Sequence, residues 1–208
     1  MISTDARPIY LASRSPRRRA LLEQIGIRYT LLGDGKEDGV DESVHVDESP
    51  AVYVERIAHA KADAGWDRVR LGKLAPAPVL AADTAVIVGQ RILGRPVDRA
   101  DAARMLGLLS ATTHDVLTGV ALHSSARSMF TLSRSRVTFR RLADDEIRAY
   151  VATGEADDKA GAYAIQGRAA QFVVSLDGSY SGVMGLPLYE TAQLIERIEH
   201  VGIDRAGA

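Results

Sequence analysis

The sequence contains no cysteine, which excludes disulfides, zinc-thiolate sites, iron–sulfur clusters and thiol nucleophiles together. It also lacks any apolar run near the ~20 residues of a membrane span, and residues 1–8 have no apolar signal-peptide core. The expected location is therefore the cytoplasm. No charge of one sign dominates: 26 Lys and Arg face 27 Asp and Glu, for a net charge of −1, so no global field holds the molecule on nucleic acid or an anionic membrane. A polyanion site, if present, is local. Asn is absent, and Lys occurs at only four positions, 36, 61, 73 and 159, against 22 Arg. In so Arg-biased a chain an isolated Arg means little, whereas a Lys inside a motif means more. The five histidines, His45, His59, His114, His123 and His200, contain no H-E-x-x-H pair, which argues against a zinc site. His59 sits at helical spacing and reads as a packing residue. Walker A and G-x-G-x-x-G loops are missing too.

What remains is an ordinary folded composition: 208 residues, 46% hydrophobic and 25% charged, with mean hydropathy −0.06. The length buries a sizeable core and shows no linker, so residues 1–208 read as a single domain. Ile9-Tyr10-Leu11-Ala12 predicts a strand, followed by a helix with Ser15 as N-cap, Pro16 in its first turn and Gly26 as its stop. Residues 33–49 hold seven acids (Asp34, Glu37, Asp38, Asp41, Glu42, Asp47, Glu48) and read as a polar loop, most of its acids being solvated decoration. The tetrad Val-Asp-Glu-Ser occurs there twice, at 40–43 and 46–49. Ser49-Pro50 repeats the cap signal and opens a helix that carries Lys61.

Val79-Leu80-Ala81-Ala82 predicts a buried strand ending at Asp83-Thr84, with Val86-Ile87-Val88 as a second extended piece. Asp98 caps a further helix. Residues 114–123 and 128–139 predict a hairpin, Asp144-Asp145-Glu146 a helix start, Phe172-Val173-Val174 a strand, and Pro187 the start of a terminal helix. Helices alternating with strands, one hairpin inserted, argue a mixed α/β sheet.

Three constellations carry chemistry. In Ser13-Arg14-Ser15-Pro16-Arg17-Arg18-Arg19 a helix N-terminus with free N–H groups is joined by hydroxyl and guanidinium donors, which suits a phosphate. The same residues suit an Arg-rich first turn on a solvated helix, and spacing alone leaves both open. Asp83-Thr84, at the carboxyl end of a strand, stands where α/β sheets place their ligands, and its carboxylate can hold a cation, orient water or merely cap a turn. Asp41 and Glu42 add oxygen donors for a hard cation. Third, Asp157-Asp158-Lys159-Ala160-Gly161-Ala162-Tyr163-Ala164-Ile165-Gln166-Gly167, with Gly178-Ser179-Tyr180 and Val183-Met184-Gly185-Leu186-Pro187-Leu188, supplies glycines, a Lys, a Tyr and a Gln suited to a planar base and its phosphates. Taken alone they are also plain loops.

Taken in order, L-A-S-R-S-P-R-R-R, A-H-A-K-A, A-D-T, D-K-A-G-A-Y-A-I-Q-G and G-L-P-L closely resemble the Maf family of nucleoside triphosphate pyrophosphatases, in register from about Ile9 to Leu194. The resemblance implies an α/β fold with a mixed twisted sheet, flanking helices and two lobes around a central cleft, akin to the inosine triphosphate pyrophosphatases. It implies hydrolysis of the α–β phosphoanhydride to a monophosphate and pyrophosphate with a divalent cation, Mg or Mn. Asp83 matches the proposed proton acceptor, and the resemblance implies Glu42 and Lys61 as further catalytic residues and Glu42 with Asp83 as the metal site. Ser13, Arg17, Arg18, Thr84, Arg95, Lys159 and Gln166 match substrate-binding positions. Arg17, Thr84 and Gln166 match the branch acting on dTTP and UTP, where the 7-methyl-GTP branch has Trp, Gln and Glu. An amide at Gln166 both donates and accepts, as a uracil or thymine edge requires. The implied role is limiting incorporation of unwanted or modified nucleotides, with a link to cell-division arrest.

The chain departs from the family pattern at Arg95, usually Lys, and at Ala164 and Ala111, usually Gly. Neither alanine backbone is therefore expected to need a glycine-only conformation. The competing readings are a pyrophosphatase for other or modified nucleotides such as 7-methyl-GTP, and a regulatory nucleic-acid-binding protein using Arg17-Arg18-Arg19. A neutral pI and no aromatics interleaved with that cluster count against the latter. The expected partner is the nucleotide, with no stable nucleic acid and no membrane; a homodimer stays open.

Overall fold

The cap chemistry of the sequence is realised at the helix starts of the computed structural model, which describes residues 8–32 and 39–203, with the backbone alone for 199–203. Ser15 Oγ accepts from Arg18 N at the start of α1 (Pro16–Gln24). Ser49 Oγ does the same for Val52 N at α2 (Pro50–Leu71), and Asp98 for Asp101 N at α3 (Arg99–Leu109). Each oxygen satisfies an N–H that has no partner within its helix. Three acids in the first turn of α4 (Asp144–Ala152) complement its positive end. Two further helices follow, the short α5 (Tyr180–Met184) and α6 (Leu188–Ile203), the latter beginning straight after Pro187.

The strands are β1 (Ile9–Leu11), β2 (Tyr29–Leu31), β3 (Val79–Val88), β4 (Arg91–Leu93), β5 (Thr113–His123), β6 (Ser128–Phe139) and β7 (Val173–Asp177). They form a mixed sheet in the order β2-β1-β3-β5-β6-β7, with β4 paired to β3. β1 runs parallel to both β2 and β3, with Tyr10 opposite Val79. β3–β4 and β6–β7 are antiparallel. The mixed sheet and flanking helices agree with the sequence reading.

Three local expectations are corrected. β3 is one ten-residue strand, so Asp83 lies at its middle and not at its carboxyl end; a carboxylate interrupts an apolar pattern without interrupting a ladder made by backbone groups. Phe172 ends a 3-10 turn, Arg168–Phe172, and the strand starts at Val173. Ala111 adopts φ +55°, the left-handed region that glycine favours. The three-residue β2 and β4 were not expected, being too short to show a period. Of the acidic loop, Asp34, Glu37 and Asp38 lie outside the described residues.

The chain divides into two compact units interleaved in sequence. One comprises the described residues up to Asp83, Gly119–Leu132 and those from Gly185 onward. Its core includes Tyr10 and Ala12, Ala58, Ala62 and Val69 of α2, Val79 and Ala81 of β3, and Ala121 of β5. Gly65 brings α2 close, since a Cβ there would lie 2.7 Å from Val79 Cγ1 and 2.9 Å from Ala12 Cβ. His59 packs as expected, 5.4 Å from the Phe130 ring, with Ser128 Oγ at 3.1 Å from Nδ1. The other unit, Thr84–Thr118 and Ser133–Met184, gathers Leu106, Leu109, Val137, Phe139, Ile147 and Phe172 around edge-to-face aromatic pairs such as Phe139–Tyr163 at 4.9 Å. Among the described residues no helix is long and apolar enough to cross a membrane.

Candidate active site

Alternation along β3 puts Val79, Ala81 and Asp83 on one face. Val79 and Ala81 pack with Ala58 and Ala62 of α2, so α2 covers the face that carries Asp83. Lys61, on that helix, donates from Nζ to Asp83 Oδ1 at 2.7 Å and lies 2.6 Å from Glu42 Oε1. The Asp83 and Lys61 side chains are only 12% and 14% exposed, whereas Glu42 is 46% exposed. A largely buried carboxylate thus has its countercharge from the helix, and the second carboxylate reaches the same ammonium from the solvent side. The structure brings all three sequence-selected catalytic residues together. Among the described residues no group of three or more His, Asp or Glu gathers to cage a metal on protein ligands alone.

Sequence reasoning passed over the residues that hold this cluster. The Tyr53 hydroxyl donates to the Glu42 carbonyl at 3.0 Å. Burial, together with the negative charges of Asp83 and Glu42, pushes the Tyr53 phenol up to about 12, so it stays a donor at any physiological pH. Glu48, in a loop whose acids were mostly read as solvated decoration, has a side chain only 5% exposed and takes a bidentate pair from Arg56, Nε to Oε1 at 2.6 Å and Nη2 to Oε2 at 2.8 Å. Arg56 holds the Glu48 carboxyl down to about 2. The repeated tetrad was the available signal. Its two glutamates, Glu42 and Glu48, each meet a cation of α2.

The arginine-rich segment is built as a cap rather than a loose basic patch. Ser13 Oγ accepts from Ser15 N at 3.2 Å and from Arg18 Nη1 at 3.3 Å, and Arg18 Nε donates to the Gly185 carbonyl at 2.7 Å. Arg18 is thereby fixed against the start of the G-L-P-L motif. Arg17 is half-buried in the first turn of α1. These groups and the Glu42–Lys61–Asp83 cluster belong to the same unit.

The remaining selected residues belong to the other unit and have partners of their own. Thr84 Oγ1 is 2.9 Å from Thr118 Oγ1, and Thr118 donates on to the Gly182 carbonyl at 2.8 Å. Lys159 pairs with Asp158, while Arg95 and Gln166 are exposed. Gln166 follows a tightly placed turn: Gly161 has φ +68°, its N–H donates to the Gly94 carbonyl, and a Cβ there would lie 2.9 Å from Val86. The Gln166 amide is therefore presented to solvent at the end of this turn.

In this mixed α/β chain a lysine bridges two carboxylates, and in the same unit an arginine is tied into a helix N-terminus, groups of the kind that bind phosphate. Comparison with known proteins makes this specific: the chain belongs to the Maf-like protein family, whose model matches residues 8–198. Similar relatives include the dTTP/UTP pyrophosphatase of Nitrosomonas europaea, 52% identical and covering 94% of this chain and 97% of that protein. That of Aromatoleum aromaticum is 55% identical, covering 90% and 94%, and that of Alkalilimnicola ehrlichii 54%, covering 94% and 95%. Among solved structures the Staphylococcus aureus Ham1 protein aligns with a TM-score of 0.40 at 16% identity, over 66% of this chain and 73% of that one, a likeness too low to carry a functional inference.

Proposed function

We propose that this chain is a nucleoside triphosphate pyrophosphatase that cleaves dTTP and UTP at the α–β anhydride, releasing the monophosphate and pyrophosphate. The observation that carries the reading is the Glu42–Lys61–Asp83 cluster, in a chain more than half identical to proteins named dTTP/UTP pyrophosphatase. Asp83 orients the attacking water and takes its proton as the new O–P bond forms and the bridging oxygen departs with its phosphate. Lys61 fixes both carboxylates and sets a positive charge where phosphate oxygens gain negative charge. Ser13, Arg17, Arg18 and the N–H groups of α1 bind the phosphate chain. The oxygen donors suit a hard cation such as Mg²⁺ or Mn²⁺, which Glu42 and Asp83 would hold. When bound, the cation neutralises charge on the triphosphate. Thr84, Arg95, Lys159 and Gln166 serve the base, sugar and phosphates, and the work is that of a cytoplasmic enzyme removing unwanted nucleotides.

A panel of dTTP, UTP, CTP and 7-methyl-GTP with Mg²⁺ or Mn²⁺ tests this. The expected products from dTTP and UTP are monophosphate and pyrophosphate; diphosphate and orthophosphate would overturn the assigned bond. If Gln166 reads the base, Gln166→Glu sets an acceptor against O4 and lowers kcat/KM for dTTP and UTP by roughly tenfold to a hundredfold. An unchanged substrate ranking removes Gln166 from base recognition.

A further inference from the structure

Glu42 lies in a segment with no regular secondary structure, yet its carboxylate meets Lys61 at 2.6 Å. Such a segment is held only by what grips its backbone, and here three consecutive carbonyls are gripped from α2. Arg56 Nη1 donates to the Asp41 carbonyl at 3.1 Å, the Tyr53 hydroxyl to that of Glu42 at 3.0 Å, and Arg56 Nη2 to that of Ser43 at 2.7 Å. The other edge of the same guanidinium takes the Glu48 carboxylate bidentately, and Glu48 Oε2 also accepts from His45 N at 3.0 Å. Asp41 Oδ1 closes the turn by accepting from Ser43 N at 2.9 Å. The Arg56 guanidinium lies 5.6 Å from the centre of the Tyr53 ring, so the two clamping side chains support each other.

We propose that Arg56 is a positioning residue: its planar guanidinium clamps residues 41–48 onto α2 and thereby presents the Glu42 carboxylate to Lys61 and Asp83. This role presupposes the pyrophosphatase activity proposed above. The geometry requires arginine, because the bidentate hold on Glu48 and the bonds to two carbonyls use fixed, divergent N–H directions that one ammonium does not reproduce. Lys61, from the same helix, then needs no further adjustment to bridge the two carboxylates.

The test combines hydrogen exchange with a double-mutant cycle on the full chain. Arg56→Ala should speed exchange of the amides of residues 41–48 while leaving those of β3 protected. It should lower kcat for dTTP by about a hundredfold, the scale of a misplaced catalytic group. In a Glu42→Gln background the same substitution should cost less than about threefold, since the group it positions is already disabled. Arg56→Lys should recover only part of the rate. Glu48→Gln, which loosens one edge of the clamp, should shift exchange and kcat in the same direction by less, and it stands in if Arg56→Ala does not fold. Unchanged exchange at 41–48, or the full rate loss repeated in the Glu42→Gln background, would overturn the clamp. A wild-type chain inactive on every triphosphate overturns the pyrophosphatase reading and with it the kinetic role, while the exchange data still decide whether Arg56 holds the segment.

Discussion

Asp83 occupies a position in mid-strand where an apolar residue would pack at no electrostatic cost. Its side chain is 12% exposed and its compensation is the Lys61 ammonium at 2.7 Å. Replacing a buried ion pair by apolar residues of similar size often leaves a protein as stable or more so, so this pair is better explained by chemistry than by stability. Asp83→Asn preserves shape but removes the charge and the proton acceptor. The variant should keep the wild-type circular dichroism spectrum and lose turnover by at least about a hundredfold. Near-normal kcat with dTTP would reduce Asp83 to a structural residue. The sequence pointed to Asp83 through its place after an apolar run and to Lys61 through the family resemblance, yet nothing in the linear pattern said that one ammonium would serve two carboxylates.

Helix α2 is the element that organises the site, carrying Tyr53, Arg56 and Lys61 on a body whose apolar residues and Gly65 seat it against β1 and β3. Its start was legible because Ser49-Pro50 is local chemistry. Its hold on residues 41–48 was not, because a bond between side chain and distant carbonyl leaves no period in sequence. At the exit of α3 the opposite happened. Ala111 stands where resemblance expected glycine, and the backbone keeps φ +55° there, with Ala111 N donating to the Arg140 carbonyl at 3.1 Å. The side chain is exposed, so it contributes little packing to offset the strain. Ala111→Gly should therefore raise stability by about 0.5–1 kcal/mol, the left-handed cost of alanine less the added unfolded-state freedom of glycine. Urea unfolding reads this as a higher midpoint at unchanged m-value; a lower midpoint would mean that the conformation carries no strain.

Unfolding of the whole molecule should report on His114, which is 2% exposed, with its Nε2 2.9 Å from the Tyr163 hydroxyl. Burial pushes its pKa down to about 4 from the usual histidine value near 6.5, with Asp115 and the Thr112 backbone opposing the shift. The unfolded chain therefore binds the proton first. Stability from this group is complete above pH 6.5 and declines as pH falls toward 4, by about 3 kcal/mol for a shift of this size. His114→Phe, compared with wild type by chemical denaturation across that range, should show a shallower loss by about that amount, whatever its stability at neutral pH. Parallel pH profiles would mean that His114 does not titrate with unfolding.

At this scale the division between sequence and structure is clear. Helix starts, the β5–β6 hairpin, the α/β alternation and the Ser15 cap of α1 were determined locally, by side-chain oxygens within reach of nearby N–H groups and by apolar spacing, and they are present as read. Decided only in three dimensions were the continuity of β3 through Asp83, the left-handed Ala111, the exposure of Gln166, and the pairing of Glu42 with Lys61 and of Glu48 with Arg56. Each depends on groups at least 8 residues apart or on a backbone conformation imposed by neighbours, as when Arg56 of α2 reaches the Ser43 carbonyl across 13 positions. Spacing along a chain records which residues share a face of one element, but the distance between charges on different elements exists only after those elements have packed.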